Sequence, residues 1–210
     1  MEITAEKIMQ QLSAGTQVAG VIAVFGEEGY YKDKIAAALP RAVFGDAAPE
    51  DREITVFECD TDIKEMSAAV NTYPFFSGRS LVIIKDEKLW GGKDGGEKRK
   101  QQQEELAELL ADVPEHCQVL LLGEKIDKRG KLYKSLLKTA AMVECKSLKS
   151  YQLKPWLNEQ AALRGCRFDY EASQTIMEYL SVTDNAPLLL LEQEIEKLSV
   201  YAGERKIWTK

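Results

Sequence analysis

The feature that most limits what this chain can fold into is a regular alternation of short apolar runs with helical patterns. Runs rich in Val, Ile and Leu recur at Val21–Phe25, Ile54–Cys59, Leu81–Ile84, Val119–Leu122 and Met142–Cys145. They are nearly continuous, the pattern of strands covered on both faces. Thr4 can cap a first helix that carries Ile8, Met9 and Leu12 on one face, and a second helical pattern begins near Tyr30 and ends around Pro40. Asp62 to Asn71 sets Ile63, Met66 and Val70 at helical spacing; Glu97 to Ala111 does the same with Leu106, Leu109 and Leu110, and Leu132–Leu137 follows the fourth run. The alternation predicts an α/β fold: a mostly parallel five-stranded sheet with helices on both faces.

After Cys145 the character changes. Leu153–Leu163, Tyr170–Leu180 and Leu188–Tyr201 are helical patterns with no strand evident among them. They predict a small all-α domain spanning 146–210, behind an α/β domain spanning 1–145, joined by the polar stretch Lys146 to Ser150. The segment from Gly91 to Gly96 reads as a loop feeding a charged helix.

No apolar run approaches the length needed to cross a bilayer, and Met1-Glu2 followed by a polar helix is not a secretory start, so a cytoplasmic chain without membrane contact is expected. A net charge of −6 argues against a protein whose main work is coating nucleic acid. The cysteines at 59, 117, 145 and 166 lie far apart, without metal-ligand spacing, so no metal is expected. Cys59, Cys117 and Cys145 read as buried free thiols. His116 and Cys117 are neighbours on a strand and point to opposite faces, which disfavours a catalytic pair.

Where a phosphate-binding loop would sit, between the first run and the helix after Tyr30, the chain reads Gly26-Glu27-Glu28-Gly29-Tyr30-Tyr31-Lys32-Asp33. A working G-x-x-x-x-G-K-[ST] loop needs the second Gly for close approach of the main chain and the hydroxyl for Mg²⁺. Tyr31 stands in place of that Gly and Asp33 in place of the hydroxyl; only Gly26 and Lys32 match. Glu27 and Glu28 add repulsion toward phosphates. The segment reads either as an ordinary strand-to-helix turn or as a phosphate loop stripped of its chemistry. Other parts of an ATPase are also out of place. Lys85 shifts Asp86 away from the position just after the third run, and the fourth ends in Gly123-Glu124 without a γ-phosphate sensor. No catalytic residue and no cofactor are assigned.

Tyr73-Pro74-Phe75-Phe76-Ser77-Gly78-Arg79 lies between a helix and the third run, with Pro74 ending the helix. Adjacent Phe side chains cannot easily both point inward. They either plug the core or stand out as anchors for a partner. The basic segment around Lys128, Arg129 and Lys131 reads as a solvated loop or as a contact for DNA or a neighbouring subunit.

Across nearly its whole length the chain resembles the delta subunit of bacterial DNA polymerase III, in the clamp-loader branch of the AAA+ proteins. The resemblance is carried by Phe25-Gly26-Glu27-Glu28, by Pro74 to Ile84, by Asp127 to Lys134, and by Trp156, Gly165 and Glu192 to Leu198. It implies an AAA+-like first domain that does not bind ATP, a helical lid domain, and a collar domain beyond these 210 residues. It also implies partners: the sliding clamp (beta subunit), gamma/tau and delta prime subunits in a heteropentamer, and primer-template DNA through the complex. Within the DNA polymerase III holoenzyme such a subunit grips the clamp and opens the ring without hydrolysis of its own. The clamp-contacting tip falls on Tyr73, Phe75 and Phe76. The stretch that would carry a nucleotide-sensing Arg, Asp184 to Pro187, has none. Two rivals remain, a P-loop ATPase with an unusual loop and a DNA-binding module using Lys98–Lys100 and Lys125–Lys131.

Overall fold

The computed structural model describes residues 1–15, 19–58, 62–85, 96–181 and 188–209. Cys59, Asp86 and Glu87, most of the Gly91–Gly96 stretch and Asp184–Pro187 therefore lie outside the described residues. The chain divides into two compact units, 1–145 and 146–210.

The first unit is built on one parallel sheet whose strands are β1 (Glu2–Ile3), β2 (Val21–Phe25), β3 (Glu53–Phe57), β4 (Ser80–Lys85), β5 (Cys117–Gly123) and β6 (Ala140–Glu144), in the spatial order β1-β6-β2-β5-β4-β3. The sheet thus has six strands where five were expected. The addition, β1, pairs Glu2 with Met142 and Ile3 with Val143. Two residues are too few to show a period, which is why the pattern passed over it.

Side chains alternate across this sheet and build two cores. On one face Val21, Ala23, Phe25, Val82, Ile84, Val119 and Leu121 meet α3 (Ile63–Asn71), α4 (Gly96–Leu109) and α5 (Lys131–Thr139). On the other, Ile22, Val24, Leu81, Ile83 and Leu120 meet α1 (Ala5–Ser13) and α2 (Gly29–Phe44). Each fully buried Ile or Leu contributes about 1.5–3 kcal/mol, so both helical layers are held by the strands between them. The Thr4 hydroxyl caps α1 by accepting from the Lys7 N–H, and the Asp62 carboxylate caps α3 by accepting from the Lys64 N–H.

Helix α2 does not stop at Pro40; it runs on to Phe44 with the proline inside it. Proline removes one backbone donor and costs about 3 kcal/mol in a helix interior. Burial of Ile35 and Leu39 before it and Phe44 after it favours continuation.

In the second unit, α6 (Ser150–Leu163), α7 (Tyr170–Ser181) and α8 (Leu188–Ala202) bury Leu153, Trp156, Leu157, Leu188 and Ile195. This unit is not all helical. Strands β7 (Arg167–Phe168) and β8 (Ile207–Trp208) form a two-stranded parallel sheet, with the Phe168 and Trp208 rings edge to face at 5.1 Å. Pairs this short leave no readable alternation.

Candidate functional site

At the amino-terminal edge of the first sheet, the chain leaves α3 and turns into β4 through the Tyr73–Arg79 corner. The helix ends at Asn71, and the Thr72 N–H and hydroxyl both donate to the Ala68 carbonyl. Pro74 is buried. Gly78 takes φ +66°, a left-handed conformation that suits glycine, and the Ser77 hydroxyl donates to the Arg79 carbonyl at 2.7 Å. The Tyr73 ring packs on His116 at 5.1 Å, and the Phe75 N–H donates to both carboxylate oxygens of Glu53, at 2.8 and 3.0 Å.

The backbone of the corner is pinned while its rings stand clear. Phe75 is 87% exposed, Phe76 67% and Tyr73 71%. The two Phe rings lie edge to face with centroids 5.1 Å apart. Spacing left open whether they plug the core; they lie outside it. His116 packs against Tyr73 while Cys117 is buried at the start of β5, so the two do not form a reacting pair. Glu53 was not foreseen, because it lies 22 residues from Phe75 and no local pattern links them.

The Gly26–Asp33 loop lies at the opposite, carboxyl-terminal edge of the same sheet. Gly26 has φ +133°, and a Cβ there would overlap the Cys145 carbonyl oxygen and sit 2.6 Å from its carbon. Close approach does explain this glycine, but the group approached is the chain's own backbone. The Cys145 N–H donates to the Phe25 carbonyl at 2.7 Å and the Glu28 N–H donates to the Cys145 carbonyl at 3.2 Å. The Glu28 carboxylate accepts from the Tyr30 N–H at 3.0 Å and caps α2, so a negative charge already occupies the helix end that would attract phosphate. The Lys32 ammonium donates to the Gly26 carbonyl at 2.8 Å. Tyr31 is half-buried, with its ring edge to face on Tyr30. Glu is not among the residue types that ordinarily mark a helix start, so no sequence signal singled out Glu28 as the cap.

Two cations of the basic segment are paired within the unit. Lys128 pairs with Glu144 and Lys131 with Glu104, each at 2.9 Å, while Arg129 is exposed. The Glu144 carboxylate, by hydrogen bonding, raises the Lys128 ammonium above its usual range, and Lys131 lowers Glu104 in the same way. Among the described residues no group of three or more His, Cys, Asp or Glu could hold a metal ion, and no helix is long and apolar enough to cross a membrane.

Burial pushes the Cys145 thiol from an ordinary 9.0 up to about 12, with Lys32 pulling weakly the other way. Between pH 9 and 12 the folded chain keeps a proton that the unfolded chain has released. Stability therefore falls as pH rises, by up to about 1.4 kcal/mol per unit from this group. Burial raises Cys117 and Tyr133 as well, with the same sign. Urea midpoints are expected to hold to about pH 8 and to fall above about pH 9, less steeply in Cys145→Ala. An identical alkaline slope in that variant removes Cys145 from the explanation.

The sequence model for DNA polymerase III, delta subunit, matches residues 25–146. DNA polymerase III subunit delta of Bacillus subtilis (strain 168) is 28% identical over 193 residues, which cover 90% of this chain and 54% of that protein. The chain thus spans about half the length of this curated relative. The solved structure of the Bacillus subtilis DNA clamp loader delta protein (YqeN) superposes with a TM-score of 0.75 at 25% identity, covering 98% of this chain and 60% of the other. A match over more than half the residues, together with a shared fold across both units, establishes that this chain belongs to the DNA polymerase III delta subunit family.

Proposed function

We propose that this chain forms the first two domains, 1–145 and 146–210, of a clamp-loader subunit. It binds the sliding clamp through Tyr73, Phe75 and Phe76 and opens the ring during DNA replication, and it neither binds nor hydrolyses ATP. The observation that carries this reading is the exposed Phe75–Phe76 pair on a corner whose backbone is pinned. Exposed aromatic anchors suit an apolar pocket on a partner, and each truncation there typically costs about 2 kcal/mol or more. If the pocket is better formed in the open ring, that difference in affinity is the force available for opening. Only the part of the anchor energy that differs between open and closed rings counts toward opening, and inverting a 99:1 equilibrium takes roughly 5.5 kcal/mol of such difference.

Support for the absence of nucleotide comes from the loop. The Glu28 carboxylate caps α2, Lys32 is turned onto Gly26, and the main chain at Gly26 lies against Cys145. Calorimetric titration with Mg-ATP is expected to show no binding up to about 1 mM, which means a binding free energy weaker than about −4.1 kcal/mol. Micromolar affinity would restore the ATPase reading. In the assembled loader the neighbours are gamma/tau and delta prime subunits, ATP binding among the neighbours exposes or hides the tip, and DNA is met through the complex. The pairing of Lys128 and Lys131 with acidic residues weighs against a DNA-binding module in its own right. Surface plasmon resonance with purified sliding clamp tests the central claim. Saturable binding is expected, and its absence overturns the reading.

A further inference from the structure

The corner that carries the rings is tied back to the sheet by a residue remote in sequence. Glu53 is the first residue of the edge strand β3 and stands in register with Ser80, the first residue of β4. Its carboxylate therefore lies beside the loop that enters β4. Both of its oxygens accept from the Phe75 N–H, at 2.8 and 3.0 Å. Hydrogen bonds to an ionised acceptor are roughly twice as strong as neutral ones. Pro74 supplies no N–H, so the Phe75 amide is the first donor after it by which the turning backbone can be fixed. The strand does not depend on this contact, since β3 and β4 are joined by a ladder running from Glu53–Ser80 to Phe57–Ile84.

We propose that Glu53 is a positioning residue for the aromatic tip: by bonding the backbone at Phe75 it presents the Phe75–Phe76 pair in one orientation before a partner arrives. The inference deepens the clamp-contact reading and rests on it for its binding consequence. The restraint on the corner can be tested independently. Ordering side chains and loops at an interface opposes association, so a tip that is already ordered binds more tightly without any added contact. Glu53 then acts through the rings and not by touching the clamp.

The test uses the whole chain, Glu53→Ala, Glu53→Gln, and both changes in a Phe75→Ala/Phe76→Ala background. Amide exchange at Phe75, followed by NMR without any partner, is expected to quicken about tenfold in Glu53→Ala. It should stay within about threefold in Glu53→Gln, whose amide oxygen still accepts. Clamp affinity is expected to fall about five- to tenfold in Glu53→Ala and less in Glu53→Gln, with no further loss when Glu53→Ala is added to the double Phe variant. Unchanged exchange at Phe75 overturns the proposal. So does an equal loss of affinity in both Glu53 variants, or an additive loss in the double Phe background, because either marks a direct charge contact. If the wild-type chain itself fails to bind clamp, the clamp reading falls, and the exchange experiment still decides whether Glu53 holds the corner.

Discussion

Replacing Phe75 and Phe76 together by alanine is expected to lower affinity for the sliding clamp at least about 100-fold, some 2.7 kcal/mol, while moving the thermal midpoint by less than about 2 °C. The two halves of this expectation come from different observations. The large binding effect follows from the size of the rings and their placement on a pinned backbone. The small stability effect follows from exposure: rings 87% and 67% exposed contribute little burial to the fold, and surface substitutions of this kind usually cost within about 0.5 kcal/mol. Plasmon resonance and calorimetry on one preparation read both. Full clamp affinity in a folded double variant moves the contact elsewhere. A midpoint lower by about 10 °C instead makes the rings structural. Tyr73→Ala is expected to bind more weakly by a smaller factor and to lose a little stability, because its ring also packs on His116.

Gly26→Ala is expected to be the most damaging alanine substitution among the described glycines of the first unit. The new Cβ would collide with the carbonyl of Cys145, a backbone group that cannot rotate away as a side chain could. A φ of +133° adds strain of its own for any residue with a Cβ. Relief requires parting the ends of β2 and β6, which are joined there by the Cys145-to-Phe25 and Glu28-to-Cys145 bonds. A loss of about 3–5 kcal/mol follows, equivalent to roughly 6–20 °C in a chain of this size. Urea unfolding of the variant measures it. A change below about 1 kcal/mol would show that the loop and the end of β6 can move apart freely, and the close approach would then have no structural weight.

Much of the first unit was legible because the central strands β2, β4 and β5 and the neighbouring β6 are buried and read as unbroken apolar runs, whereas the edge strand β3, expected to be covered on both faces, leaves Ile54 and Val56 exposed. Four of the five expected runs lie within a residue or two of β2, β4, β5 and β6, and Ile54–Cys59 overlaps β3. What escaped has a common cause, which is that tertiary partners decide it. Strands of two residues, such as β1, β7 and β8, carry no periodicity of their own and exist only because a neighbour pairs with them. Pro40 reads as a stop because the local rule is sound, and burial on both sides of it overrides that rule. At the candidate site, sequence located the corner but not the direction of its rings, since Phe75 and Phe76 fit a core as well as a surface by residue type alone. The anchoring Glu53 and the acidic partners Glu104 and Glu144 were invisible because nothing along the chain joins them to the groups they hold.

The corner opens directly into β4, and β4 is hydrogen-bonded along both of its sides, to β5 and to β3. A pull on the two rings is therefore delivered end-on to a strand and taken up as shear across two ladders at once. Parallel ladders resist such loading collectively, because no single bond can yield before its neighbours are strained. A partner held by these two rings would thus load the strand frame and not one hydrogen bond.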